Sequence, residues 1–268
     1  FGALTSGDNN VAVGLNALTT NTTGSSNIAI GLCSLRLNST GAGNTSLGTN
    51  SLRCNTTADD NVAIGRSSLR DTTTGATNTA VGTSALNANT TGTNNTAVGK
   101  SALQANTTAN DNVAVGRCSL KTNTTGASNT AVGQNSLFNS TTASDNTALG
   151  HQALFTNTTG GCNTAVGKCS LFSNTTGIYN TATGENSLHS NTTGCCNTAV
   201  GEYALRANTT ANDNTAVGLN SLKTNTTGAG HAAVGKDALA ATTTGNNNSA
   251  FGKDALKLNT TASSNTAV

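Results

Sequence analysis

The chain has 268 residues, of which 34% are hydrophobic, 3% aromatic and 9% charged, with no Trp, Met or Pro. A globular core of this length leans on large apolar side chains, so ordinary globular domains are excluded. A net charge of +2 is too small for the basic face a nucleic-acid binder needs; the charge is too sparse for a typical disordered segment, and no stretch is oily enough to span a membrane.

Gly, Asn, Thr, Ser and Ala dominate, a mixture that points to low-complexity disorder or to a regular repeat, and spacing decides between them. The glycine of a recurring A-V-G motif falls at Gly14, Gly31, Gly48 and every seventeenth residue thereafter to Gly252, without insertion or deletion. The unit reads N-T-A-V-G-x-x-[AS]-L-x-x-N-T-T-G-x-x. A disordered chain tolerates drift in length. A stack of coils does not, because one extra residue displaces every later side chain from its column. The expected fold is therefore all-β, a parallel β-solenoid or β-roll of 17-residue coils running as one continuous array over 1–268. Both ends fall inside a unit, which reads as a window of a longer array or as a unit that continues end to end into its neighbour.

Taken in chain order, each unit begins with Asn four places before the glycine. This column comprises Asn27, Asn44, Asn61, Asn78, Asn95, Asn112, Asn129, Asn146, Asn163, Asn180, Asn197 and Asn214, begins at Asn10, and is interrupted by His231. Stacked amides can each donate to one neighbour and accept from the other, so the column is expected to form a ladder, with His231 a weak point. The T-A-V that follows has strand character, and the glycine bends it. Next comes a stretch such as Lys100–Ala105, built of good helix formers yet too short for an independent helix; one helical turn and a second short strand both remain open. It contains the leucine column: Leu18, Leu35, Leu52, Leu69, Leu86, Leu103, Leu120, Leu137, Leu154, Leu171, Leu188, Leu205, Leu222, Leu239 and Leu256, with Phe1 in the same slot. Stacking is expected to join these into an apolar spine.

The polar N-T-T-G corner closes the unit. Its glycine alternates with Ala58, Ala109, Ala143, Ala211 and Ala262, so a positive φ is not obligatory there. Its Asn heads an N-x-Thr acceptor pattern for N-glycosylation at Asn21, Asn38, Asn55, Asn89, Asn106, Asn123, Asn157, Asn174, Asn191, Asn208, Asn225 and Asn259, with Asn139 shifted by one place. Further sequons lie off the column at Asn44, Asn94 and Asn247. Covalent N-linked glycans are expected on most of the column, the alternative being a structural hydroxyl ladder; no other cofactor is expected.

The N-x-A-V/I-G core, as in Asn27-Ile28-Ala29-Ile30-Gly31, resembles the head repeat of trimeric autotransporter adhesins. It is also similar to repeats of phage and giant-virus fibre proteins and of extracellular glycosylated fibrils. The resemblance implies a left-handed parallel β-roll, three copies of which pack on a surface fibre. The longer unit and the N-T-T-G corner depart from that pattern, and no binding residue carries over.

Chemistry-bearing residues do not converge. His151, His189 and His231 occupy three different phases of the unit, and no phosphate-loop, dinucleotide or zinc-protease motif occurs. Seven cysteines (Cys33, Cys54, Cys118, Cys162, Cys169, Cys195 and Cys196) leave open a cross-coil bridge such as Cys162–Cys169, bonds between chains, or buried thiols. No Cys-x-x-Cys pair or nearby His completes a zinc site. Asp60 and Asp111 share their units with Arg66 and Arg117 and read as solvated surface charge, with ion pairs worth at most about 1 kcal/mol each. The expectation is not an enzyme but a structural component of an extracellular fibre or filament, at a cell or virion surface. The expected partners are copies of itself and a surface glycan or matrix ligand, with no nucleic acid and no membrane span. The alternatives are an adhesin-like or ice-binding surface protein and a viral or phage fibre shaft.

Overall fold

The computed structural model describes residues 2–268; Phe1, expected to head the leucine column, lies outside the described residues. The chain divides into two units, Phe1–Asn129 and Thr130–Val268. Each is a parallel β-solenoid of 17-residue coils.

The first unit contains β1 (Val11–Val13), β2 (Ile28–Ile30), β3 (Thr45–Leu47), β4 (Val62–Ile64), β5 (Thr79–Val81), β6 (Thr96–Val98) and β7 (Val113–Val115). The second contains β8 (Thr130–Val132), β9 (Thr147–Leu149), β10 (Thr164–Val166), β11 (Thr181–Thr183), β12 (Thr198–Val200), β13 (Thr215–Val217), β14 (Ala232–Val234), β15 (Ser249–Phe251) and β16 (Thr266–Ala267). Within each unit successive strands pair in parallel at a register of one repeat: Thr79, Ala80 and Val81 face Thr96, Ala97 and Val98, and Thr198, Ala199 and Val200 face Thr215, Ala216 and Val217. The alternation of the strand sends the central Ala inward and its neighbours outward. Backbone pairing runs both ways along the stack, since the Thr96 N–H donates to the Asn112 carbonyl (2.8 Å) and the Gly99 N–H to that of Val81 (2.7 Å).

No helix forms. The stretch after the repeat glycine carries positive φ at its second and fourth residues, Ser101 (59°) and Leu103 (49°) in the coil of Gly99 (134°), and Asp111 (59°) turns the last corner. A right-handed helical turn cannot accommodate such residues, so the helix alternative is corrected to a turn of left-handed corners. Helix propensity was a weak guide because the segment is shorter than a helix nucleus. A left-handed non-glycine residue costs roughly 1–2 kcal/mol. At Leu103 that strain is offset by complete burial of the side chain, which contributes about 1.5–3 kcal/mol.

The interior is narrow. In one coil it holds Asn95, Ala97, Ala102, Leu103, Asn106 and Ala109, all buried. The leucine column is buried from Leu18 to Leu239, with Leu256 half-buried. Ser46, which replaces the strand alanine, is also buried; its hydroxyl pairs with that of Ser51 and accepts from Ser34 Oγ at 2.7 Å, so the exception is satisfied by its neighbours.

Candidate functional surface

Two columns of asparagine amides run through each unit and meet on one backbone oxygen. At the first, Asn95 Nδ2 donates to Asn78 Oδ1 (3.1 Å) and to the Ala109 carbonyl (2.8 Å), while the Asn95 backbone N–H also donates to Asn78 Oδ1 (3.0 Å). At the second, Asn106 Nδ2 donates to Asn89 Oδ1 (3.0 Å) and to the same Ala109 carbonyl (3.1 Å). The second unit repeats this, with Asn180 and Asn191 converging on the Gly194 carbonyl at 2.8 and 3.0 Å.

The second column is the one that reads as glycosylation acceptors. Asn21, Asn38, Asn55, Asn89, Asn106, Asn123, Asn157, Asn174, Asn191, Asn208 and Asn225 are fully buried. The Nδ2 atom that would carry a sugar is the atom that builds the ladder, so a glycan there is incompatible with the fold. An interior ladder and glycans on this column are thus alternative uses of the same nitrogen, and the structure places that nitrogen in the ladder. The sequence suggested an amide ladder at the first column and, beside the sequon reading, a ladder of threonine hydroxyls at the second; the amide ladder there was hidden by the sequon pattern, which explained the same asparagines. Asn139 stands beside the column, half-exposed, with Ser140 in the interior position; Asn259 is also half-exposed. Off the column, Asn44 is buried while Asn94 and Asn247 face solvent.

Thr72 and Thr242 interrupt the second column, and the amide oxygens of Asn55 and Asn225 before them have no partner. Thr72→Asn is therefore expected to stabilise the first unit by about 1 kcal/mol, by supplying an Nδ2 donor to Asn55 Oδ1 and to the Gly75 carbonyl. An upward shift of the urea midpoint at unchanged slope checks it.

His231 stands in the first column and imitates an amide. Its Nδ1 accepts the Asn248 backbone N–H (3.2 Å), as an Asn Oδ1 does elsewhere, and its own N–H donates to Asn214 Oδ1 (3.0 Å). Its Nε2 is buried without an aligned hydrogen bond. Burial pushes the imidazole below its ordinary value of 6.5. The folded state therefore resists a proton that the unfolded chain accepts, so stability is full above that value and falls as pH drops through it. His189, also lowered by burial and by Arg206, acts in the same direction. His231→Asn is expected to flatten the loss of urea midpoint between pH 8 and pH 5, leaving the share due to His189.

On the outside, the two threonines of each corner have different roles. The first is half-buried and its hydroxyl bonds along the stack, as from Thr107 Oγ1 to the Thr124 carbonyl (3.1 Å). The second, as at Thr91, Thr108, Thr193 and Thr210, is exposed. One outward column results, half of the Thr-x-Thr face that ice binding would need. The outer edge of the sheet carries a column of uncharged side chains, with Val13, Ile30, Leu47, Ile64 and Val98 exposed in the first unit and Val132, Leu149, Val200, Val234 and Phe251 in the second. Phe138, Phe155, Phe172 and His189 stack in that order with centroids 5.2–5.3 Å apart.

Ion pairs form where the sequence did not suggest them: Arg70 with Asp71 (2.6 Å), Lys168 with Glu185 (3.0 Å), and Lys257 with Asp254 (2.9 Å). Asp60–Arg66 and Asp111–Arg117 are not among them. All seven cysteines are free thiols, so the cross-coil bridge Cys162–Cys169 does not form.

The described residues enclose no pocket, and no three His, Cys, Asp or Glu side chains among them are grouped to hold a metal ion. No helix is long and apolar enough to cross a membrane. Neither a protein-family model nor a curated protein matches the chain.

Proposed function

We propose that the chain is a structural component of an extracellular fibre, a stacked scaffold that associates laterally with copies of itself. The observation that carries this reading is the uncharged column along the outer edge of the sheet, which leaves a row of aliphatic side chains in water over successive coils of each unit. Such a row is an association surface, and a partner with the same repeat of about 4.8 Å would match it coil for coil. The interior is consistent with a mechanical role, since every buried column serves contact between coils. On a folded chain, N-linked sugar would be confined to the acceptors at Asn94 and Asn247, and to the half-exposed Asn139 and Asn259.

Sedimentation and negative-stain electron microscopy of the purified chain under reducing conditions test the reading. Concentration-dependent, side-by-side assemblies are expected, and Val200→Lys with Val234→Lys should disperse them while leaving the circular dichroism unchanged. A chain that stays monomeric at high concentration, or assemblies indifferent to the two lysines, would overturn it.

A further inference from the structure

The last two corner positions of the coil, just before the first Asn column, are small or polar everywhere except over three successive coils of the second unit. There they are Gly161-Cys162, Ile178-Tyr179 and Cys195-Cys196. The three corners stack directly, the Tyr179 N–H donating to the Gly161 carbonyl (3.4 Å) and the Cys196 N–H to that of Ile178 (3.1 Å). Cys162, Tyr179 and Cys196 all adopt left-handed backbone, with φ of 58°, 58° and 60°, and all point to solvent. Tyr179 is 61% exposed and Ile178 38%, a combination of bulk and exposure found at no other pair of these positions among the described residues.

The outer of the two columns reads the same in both directions: Asp145, Cys162, Tyr179, Cys196, Asp213. The two thiols lie one coil either side of Tyr179, about 9.6 Å apart along the stack, beyond disulfide reach within one chain. A two-fold axis through Tyr179, perpendicular to the stack, changes this. It sets Cys162 of one copy against Cys196 of the partner subunit, and does so twice. A parallel pairing would match any column to itself and needs no such symmetry. Only an antiparallel pairing needs the column to be a palindrome.

We propose that this corner is a docking and cross-linking site for a second, antiparallel copy of the chain, with the Tyr179 and Ile178 side chains at its centre and a Cys162–Cys196 disulfide on each side. Each bond forms as two thiols give up two protons and two electrons to a small-molecule disulfide, which leaves as two thiols. Asp145 and Asp213 oppose each other at the rim, a repulsion that confines the contact to three coils and that salt screens. In the organism the step needs the oxidising surroundings of the extracellular reading. In vitro it depends neither on that reading nor on the apolar sheet edge.

The test uses the full chain with Cys195→Ser, oxidised by glutathione disulfide and resolved by non-reducing electrophoresis and mass spectrometry of linked peptides. A reductant-sensitive dimer carrying the Cys162–Cys196 link is expected. Adding Cys162→Ser or Cys196→Ser should each abolish it, and an equimolar mixture of those two variants should regain a covalent heterodimer. Links of Cys162 to Cys162 or of Cys196 to Cys196, a mixture that stays monomeric, or no dimer at all would overturn the proposal. Because these side chains are exposed, unchanged circular dichroism is the control for folding. Sedimentation of the reduced protein reports separately on association through the sheet edge, so the two readings fail independently.

Discussion

Asn191→Ala is expected to lower the stability of the second unit by about 3 kcal/mol, far more than loss of a surface amide. The side chain donates to Asn174 Oδ1 (2.9 Å) and to the Gly194 carbonyl (3.0 Å), and its own Oδ1 accepts from Asn208 Nδ2 (2.8 Å). Truncation strips one rung of the ladder. Asn174 loses its donor and Asn208 one of its acceptors, in an interior that water does not reach, and each orphaned group costs roughly 1–3 kcal/mol. Asn191→Asp should be worse. It keeps the shape but replaces the donor by a second acceptor facing Asn174 Oδ1 and the Gly194 carbonyl, and it buries a charge. Asn139→Ala supplies the contrast: outside the column and half-exposed, it should change the urea midpoint little. Equal midpoints for Asn139→Ala and Asn191→Ala would contradict the interior placement of the second column.

Gly99→Ala is expected to cost about 3 kcal/mol as well, for a different reason. Gly99 has a φ of 134°, which L side chains rarely adopt, and a Cβ there would lie 2.6 Å from the Gly116 carbonyl oxygen and 2.7 Å from its carbon. Those atoms belong to the backbone of the next coil and cannot swing aside. Relief would require the coils to part, which weakens the pairing of β6 with β7. The corner glycines are just as crowded, a Cβ on Gly92 meeting the Ala109 carbonyl oxygen of the next coil. But Gly92 has no positive φ, and Ala58, Ala109, Ala143, Ala211 and Ala262 occupy its column elsewhere, so the backbone there adapts to a methyl group. Gly92→Ala should therefore be milder than Gly99→Ala in the same denaturation experiment. The reverse order would mean that crowding at the corner outweighs the strain of a side chain at the positive φ of Gly99.

The solenoid was legible because its period is rigid: a fixed spacing of Leu103 from Gly99, and of Gly99 from Gly116, requires like residues to stack. The conformation between glycine and leucine was not legible. Ala102, Leu103 and Ala105 favour helix, and only the need to close a circuit in 17 residues forces Ser101 and Leu103 into left-handed backbone. The two amide columns have one chemical logic, yet a modification motif overlay the second. The discriminating signal was present at Thr72 and Thr242, which fill the column without an acceptor nitrogen and remain buried. The palindromic corner around Tyr179 shows only when residues are read down the stack, because its members lie 17 positions apart.

An interior in which one buried side chain in three is an amide has a thermal consequence. Exposing apolar surface on unfolding raises the heat capacity and exposing polar surface lowers it, so ladders of Asn beside a single Leu per coil give an unusually small increment per residue. A small increment flattens the curve of stability against temperature. The same narrow section that leaves each coil little oil to bury thus makes the stack insensitive to cold as well as to moderate heat.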